Sequence, residues 1–502
     1  MRSPCCPSLY QVNTRILLAE LPHAKGRHAS LDQVSDEFFD RLAVAGFDWL
    51  WLLGVWQTGP AGCAVSRREP QLRREFEAVL PDLVEEDICG SCFAVRDYAV
   101  HTEFGGNEAL ARFRQRLHRG GVRLLLDYVP NHTALDHRWA WEHPEYYIGG
   151  DEADLAAEPH NYCRVETRLG PRILAHGRDP NFPAWTDTLQ LNYRSRALRQ
   201  AMVAELEKVA GLCDGVRCDM AMLLLPEVIQ RTWGEKSLPG DGTPPVDQPF
   251  WPEAIARVRT LHPDFLFMAE VYWNLEGELQ RQGFDYTYDK GLYDRLRAGD
   301  AEAVRQHLRA DSNYQRRSVR FLENHDEPRA ANVFPLLTHQ AAAIVAYLVP
   351  GMRLFHDGQL EGRRIRVPVH LARRPAEPVD SVLCDYYRRL LECVKLPVVR
   401  EGQWQLLECD APWEGNATWR QFVAFLWQGP QAERLLVAVN YGDERGQCYV
   451  RLPLSDLPGK KFLLCDRMGR ASYQRDGTDL ARRGLYLDLP AWHYHVFDLV
   501  SP

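Results

Sequence analysis

Four stretches of the chain read as short apolar strands that run straight into titratable groups. Residues 319–326 are Val-Arg-Phe-Leu-Glu-Asn-His-Asp, and residues 122–132 are Val-Arg-Leu-Leu-Leu-Asp-Tyr-Val-Pro-Asn-His. Residues 265–270 are Phe-Leu-Phe-Met-Ala-Glu, and residues 215–219 are Gly-Val-Arg-Cys-Asp. Apolar runs of this length usually end in a turn residue such as Gly or Pro. One acid in such a place is explained well enough as a solvated loop residue or a helix cap. Here Asp219, Glu270 and Asp326 each follow a different apolar strand, the first behind Arg217 and the last behind His325. That combination argues against coincidence.

Such a set suits cleavage of a glycosidic bond. One carboxylate attacks or stabilises an oxocarbenium-like centre, and one carboxylic acid protonates the leaving oxygen. The two must differ in pKa, and neighbouring charges are one means of separating them. Arg217 and Asp219 stand two apart on a strand, so their side chains point the same way. The guanidinium would keep Asp219 ionised. Glu270 would sit among other acids, which raises its pKa toward that of a usable proton donor. Asp326, beside His325, would offer hydrogen bonds to sugar hydroxyls. The competing chemistry is a metal-dependent hydrolase using Asp127, His132, Asp219 and His325. Such sites usually carry paired histidines close together on one strand or helix, and this set has no such pair.

Converging groups need a scaffold that brings strand ends to one place. Strand-like runs fall at residues 9–21, 47–56, from 122, 215–219, 265–270, 284–288, from 319 and 351–355. Helical spacing marks residues 31–45, 107–120, 194–211 and 251–262 between them. This alternation is the pattern of a parallel α/β protein. Eight strands predict a (β/α)8 TIM barrel with its chemistry at the carboxyl ends. Residues 57–105 show little periodicity and read as one long loop. Residues 133–192, rich in His, Pro, Trp and Tyr, read as an irregular excursion after the third strand. Residues 233–250 read as a flexible loop after the fourth. From about residue 396, short strands at 423–427, 435–440, 448–452, 461–465, 484–489 and 493–500 predict an antiparallel β-sandwich. The expected division is therefore a barrel of residues 1–132 and 193–395, an excursion of 133–192 and a sandwich of 396–502.

Composition narrows the class further. The 502 residues are 45% hydrophobic and 25% charged, as in an ordinary globular protein. A net charge of −8 leaves no basic footprint for nucleic acid. No apolar run reaches the length of a membrane span, and residues 1–7 lack the apolar core of a signal peptide. Thirteen cysteines, an odd count, fit reduced thiols and a cytoplasmic setting. Cys89-Gly90-Ser91-Cys92 has redox or zinc spacing but no further ligands at a zinc-site distance, so it reads as two thiols in a loop. Trp56, Trp139, Trp141, Trp185 and Trp273 fall in loops near the mouth, where sugar stacking competes with core burial and burial is favoured for each.

Order and spacing together resemble the four signature segments of the α-amylase superfamily, glycoside hydrolase family 13. Residues 127–132 are similar to the first segment, 215–219 to the second, Glu270 to the third and 324–326 to the fourth. Residues 188–192 resemble the family's auxiliary segment, and 351–358 its eighth strand. Asp97-Tyr98 resembles the place where an aromatic ring stacks on the sugar beside the cleaved bond. The resemblance implies a retaining enzyme acting on α-linked glucosides or maltooligosaccharides through a covalent glycosyl-enzyme. Asp219 would be the nucleophile, Glu270 the general acid/base and Asp326 the transition-state stabiliser. Tyr98, Asp127, His132, Arg217 and His325 would shape the subsite of the attacked glucose. No cofactor is required.

Two departures from the family pattern matter. Where many members carry a Lys or His against the leaving-group sugar, this chain has Leu223. Asn131 stands where the family's structural calcium finds an Asn, but Gln190 occupies the place of an acid. Calcium wants several oxygens, carboxylates among them, so Asn131 reads as a structural hydrogen-bonding residue. The same machinery also transfers glycosyl groups or isomerises disaccharides, and a non-catalytic carbohydrate-binding relative would share the motifs. These alternatives stay open.

Overall fold

The computed structural model describes residues 4–21, 29–240 and 242–501. Eight parallel strands close into a barrel: β1 (Ser8–Asn13), β2 (Trp49–Leu53), β3 (Arg123–Tyr128), β4 (Gly215–Cys218), β5 (Leu266–Ala269), β6 (Tyr286–Tyr288), β7 (Ser318–Arg320) and β8 (Met352–His356). Each pairs with its neighbours in chain order, and β8 returns to β1 with Ser8 opposite Arg353. The strands are buried on both faces, which is why they read as continuous apolar runs. Among the described residues no helix is long and apolar enough to cross a membrane.

All eight expected strands are present, but several are shorter than their apolar runs. The run at residues 9–21 is strand only to Asn13. The Asn13 side chain then accepts from the Arg15 and Ile16 amides and caps a helix, Thr14–Ala19. The run at 47–56 breaks at Gly54 (φ 76°), and Trp56 already belongs to a side hairpin of Trp56–Thr58 with Val95–Val100. Residues 57–105 are not one loop. They hold two helices, Pro60–Arg68 and Pro70–Val79, each with Pro in its first turn, where the missing N–H costs nothing.

Between β3 and β4, His132–Ala134 pairs with Thr188–Gln190, and a three-stranded sheet joins Gly149–Gly150, Arg172–Ala175 and Tyr162–Val165. Beyond β8, a six-stranded and a three-stranded antiparallel sheet share one apolar core. The six strands expected in this tail are all present. Gln403–Leu406, Cys409–Asp410 and Ser472–Asp476 join them, with a helix at Gly477–Arg483. Trp427 fastens the tail to the barrel by donating its indole N–H to the Leu348 carbonyl at 2.7 Å.

β4 packs closely against both of its neighbours in the barrel wall at Gly215. A Cβ at Gly215 would lie 2.8 Å from both the carbonyl oxygen and the Cβ of Leu266 on β5, and 3.1 Å from Leu125 on β3. Gly215→Ala is therefore expected to force β4 off its neighbours and destabilise the protein by about 1–3 kcal/mol. A melting temperature equal to that of the parent would show that the barrel yields here at no cost.

Candidate active site

Arg217 and Asp127 face each other across the β3–β4 ladder, because the register pairs those two residues directly. Arg217 points into the barrel and is completely buried. Its Nη1 lies 2.6 Å from Asp219 Oδ1 and 3.8 Å from Asp127 Oδ1, and its Nη2 lies 2.9 Å from Glu270 Oε2. The rings of Trp51, Phe93 and Tyr288 stand 5.2–5.8 Å from its guanidinium carbon. Burial alone would favour the neutral form, but Glu270, Tyr288, Asp219 and Asp127 outweigh it and hold Arg217 protonated.

Glu270 follows β5 directly. Its Oε2 also accepts the Met220 amide at 2.6 Å, and its Oε1 accepts the Tyr272 hydroxyl at 2.8 Å. Met220 reaches this position in a left-handed conformation (φ 43°) immediately after Asp219. Non-glycine residues held there cost roughly 1–3 kcal/mol and cluster at functional sites. Burial raises the pKa of Glu270 well above the usual glutamate range. Asp219 and Asp326 push the same way, against Arg217 and the Met220 amide.

Asp326 comes from the turn beyond β7. The Asn324 side chain accepts the amides of Asp326 and Glu327, both at 2.9 Å, and so fixes that turn. The Asp326 side chain is 45% exposed, against 8% for Asp219 and 4% for Glu270, so it reaches into the open cavity. His325 Nε2 lies 3.0 Å from Asp326 Oδ2, while His325 Nδ1 lies 2.7 Å from Gln11 Nε2 on β1. Burial lowers the His325 pKa to about 4, so the ring is neutral at neutral pH. Asp127 is gripped by the Trp51 indole N–H at 3.1 Å and the Gly54 amide at 3.0 Å. Burial still pushes its pKa up to about 7.

Asp219, Glu270 and Asp326 line one cavity of about 320 Å³ together with Phe93, His132 and Trp185. His132 packs its ring 5.2 Å from Trp185, and burial lowers its pKa. Tyr98, expected at the sugar, is elsewhere. Its hydroxyl donates to the Val129 carbonyl and accepts the Val129 amide, both at 2.9 Å, while its ring stacks on Tyr128. The aromatic of this stretch that lines the cavity with the acids is Phe93, five residues earlier, in the turn before Val95–Val100. Of the five tryptophans, Trp185 lines the cavity. Trp56 and Trp139 are buried, Trp141 is exposed, and Trp273 lies over Arg231.

Sequence reasoning passed over Tyr272, Met220, Ser91, Asp187 and His370, which all line the cavity. Asp187 Oδ2 is buried without a hydrogen-bond partner, and burial pushes the carboxyl pKa up to about 6. His370 belongs to the long loop after β8. That loop is tied to the Cys89 loop by the Cys89 amide and thiol, which both donate to the His370 carbonyl. Leu223 is buried and offers the cavity no charge.

Among the described residues no group of three His, Cys, Asp or Glu side chains is arranged to hold a metal ion. Asn131, the one candidate calcium ligand, is engaged by Gln190. Gln190 Nε2 donates to the Asn131 carbonyl and to Asn131 Oδ1, both at 3.0 Å, and to the Leu191 carbonyl at 3.1 Å. Asn131 Nδ2 donates back to Gln190 Oε1 at 3.2 Å. Backbone carbonyls cannot donate, so they fix which end of the Gln190 amide faces them. A cation among those oxygens would meet an NH2 group, and the residues do not fit one.

The family model for the α-amylase catalytic domain matches residues 91–364, more than half of the chain. The chain belongs to the α-amylase family. It is 24% identical over 304 residues to α-amylase MalA of Haloarcula japonica, a match spanning 57% of this chain and 39% of that protein. It is 26% identical over 162 residues to the trehalose synthase/amylase TreS of Mycobacterium tuberculosis, spanning 28% of this chain and 25% of that one. The chain thus covers well under half the length of either relative. Its fold follows that of a maltogenic α-amylase, AmyB of Thermotoga neapolitana, with a TM-score of 0.69 at 18% identity over 98% of both chains.

Asp127 accepts two obligate donors on two oxygens, and an amide can serve only one of them. Asp127→Asn is expected to leave Trp51 Nε1 or the Gly54 amide facing an NH2 group, at about 1–3 kcal/mol. Thermal unfolding checks this, and an unchanged midpoint would contradict it.

Proposed function

We propose that the chain is a retaining α-glycosidase acting on short α-linked glucosides and maltooligosaccharides. The observation that carries this reading is the shared guanidinium. Asp219 and Glu270 sit on the two terminal nitrogens of Arg217, a placement that supports the ~5–5.5 Å carboxyl spacing of retaining enzymes. Asp219, hydrogen-bonded to a permanent cation, attacks the anomeric carbon. Glu270, kept protonated by burial and by neighbouring acids, gives its proton to the leaving oxygen and later takes one from water. Asp326, open to the cavity, faces the charge that develops on the sugar ring. The neutral His325 and His132 offer hydrogen bonds without adding positive charge beside that centre.

Substrate length follows from the volume. At about 320 Å³ the cavity lies at the low end of the roughly 300–1,000 Å³ of ligand sites, which suits one or two sugar units rather than a long glucan groove. The buried Leu223 supports the same reading, since no charged side chain waits there for a leaving sugar. A short-substrate site also favours a second reading, transfer to a sugar acceptor or disaccharide isomerisation. One relative bears the name trehalose synthase/amylase.

Asp219→Asn is expected to fold like the parent and to lose about 10³-fold or more of kcat on maltotriose. Near-parental turnover would remove the nucleophile assignment. NMR of the first product formed should show the α-anomer, and an initial β-anomer would exclude retention. Identification of every product from maltose, maltotriose, sucrose and trehalose separates hydrolysis from transfer. Because the Asn131–Gln190 joint holds itself together without a cation, dialysis against EDTA is expected to leave the melting temperature unchanged. A calcium-dependent rise of several degrees would place a cation there after all.

A further inference from the structure

Glu270 is held by three donors that differ in kind. The Met220 amide and Arg217 Nη2, both on Oε2, can only donate. A proton on Oε2 would have to displace one of them, so the proton that Glu270 carries resides on Oε1. The group on Oε1 is the Tyr272 hydroxyl, 2.8 Å away, which can donate or accept. Tyr272 is two residues beyond Glu270 and lines the same cavity. Burial, with Glu270 and Asp326 close by, raises its pKa well above the ordinary tyrosine value, so it remains a phenol throughout.

We propose that Tyr272 is the positioning residue of the acid/base Glu270. It holds Oε1 toward the leaving oxygen and donates a hydrogen bond that strengthens as the proton departs. This rests on the glycosidase reading above. In the first half-reaction the Oε1–H bond breaks and its proton passes to the glycosidic oxygen. The bond from that oxygen to the anomeric carbon breaks, and Asp219 bonds to the carbon. Oε1 gains negative charge in that step, and a phenol pointing at it binds the transition state better than the ground state. In the second half-reaction water gives a proton back to Oε1. The water oxygen bonds to the anomeric carbon as the bond from that carbon to Asp219 breaks, and the hydroxyl again has an acid as its neighbour. The other groups facing the pair are Arg217 and Asp219 from the end of β4, Tyr288 on β6 and Asp326 beyond β7. None of them bonds Oε1.

The test is Tyr272→Phe, which removes one oxygen and keeps the ring. Loss of a donor to the carboxylate disfavours the charged form, so the Glu270 pKa rises and the basic limb of kcat/KM moves to higher pH, by about one unit. Proton donation weakens, so kcat/KM on maltotriose should fall about 10- to 100-fold. α-Glucosyl fluoride, whose leaving group needs little protonation, should lose much less, and the ratio of the two activities should change at least about tenfold. On a Glu270→Gln background the same substitution should cost nothing further with the fluoride, because the group it acts through is gone. An unshifted pH limb, an unchanged ratio, or full additivity in the double variant would each overturn the proposal. Failure of the glycosidase reading looks different: the parent would process neither maltotriose nor α-glucosyl fluoride, or Glu270→Gln would match the parent. If Tyr272→Phe does not fold, Tyr272→Trp keeps a donor in a displaced position, and a parental pH profile there would count equally against the proposal.

Discussion

A single buried cation governs the barrel mouth. Arg217 serves Asp219, Glu270 and Asp127 from one planar fork, a geometry that a lysine, with its single nitrogen, cannot reproduce. Three acids around one guanidinium exceed its charge, and burial penalises every uncompensated anion. Burial raises the pKa values of two of the three, Glu270 and Asp127, against the pull of Arg217. Removing one member of a buried ion set typically costs about 3–5 kcal/mol, because the remaining charge is stranded. Chemistry and stability at this mouth are therefore one problem.

The rest of the fold serves to keep that set in register. Asp127 and Arg217 come from adjacent parallel strands at paired positions, and strands hold a side chain more firmly than loops do. Where the site needs reach instead, the backbone leaves the ladder under control. Met220 turns left-handed so that its amide meets Glu270, and the Asn324 turn carries Asp326 out to the cavity. Trp51 and Gly54 hold Asp127, the least exposed of the three acids around Arg217.

Much of this was legible in the chain because a fully buried strand writes itself as an apolar run and the barrel puts chemistry where the run stops. The paired acids and Arg217 follow from that rule alone. What failed is equally physical. The helix at Pro60–Arg68 is short and polar, whereas Leu72, Phe76 and Val79 give Pro70–Val79 a helical spacing that a one-loop reading of residues 57–105 passes over. Tyr98 lies on a strand whose pairing is shifted in register, and Phe93 sits in the turn just before it, where no alternation tells which ring faces inward. Asp187 sits in a turn of the excursion, where no periodicity ties a residue to the mouth. Tyr272 was available to the spacing of two that joined Arg217 to Asp219, although the backbone beyond it turns left-handed at Trp273 and Asn274.

The joint beneath His132 has a consequence of its own. Asn131 and Gln190 link the end of β3 to the excursion hairpin through neutral amides and main-chain carbonyls. A carboxylate–cation clasp comes apart in acid as its ligands take up protons and release the metal. Carboxamides do not titrate across that range, so no group of this clasp takes up a proton there. On the cation-free reading proposed above, the segment that carries His132 would keep its shape in phosphate- or citrate-rich surroundings, where a mineral clasp would be stripped.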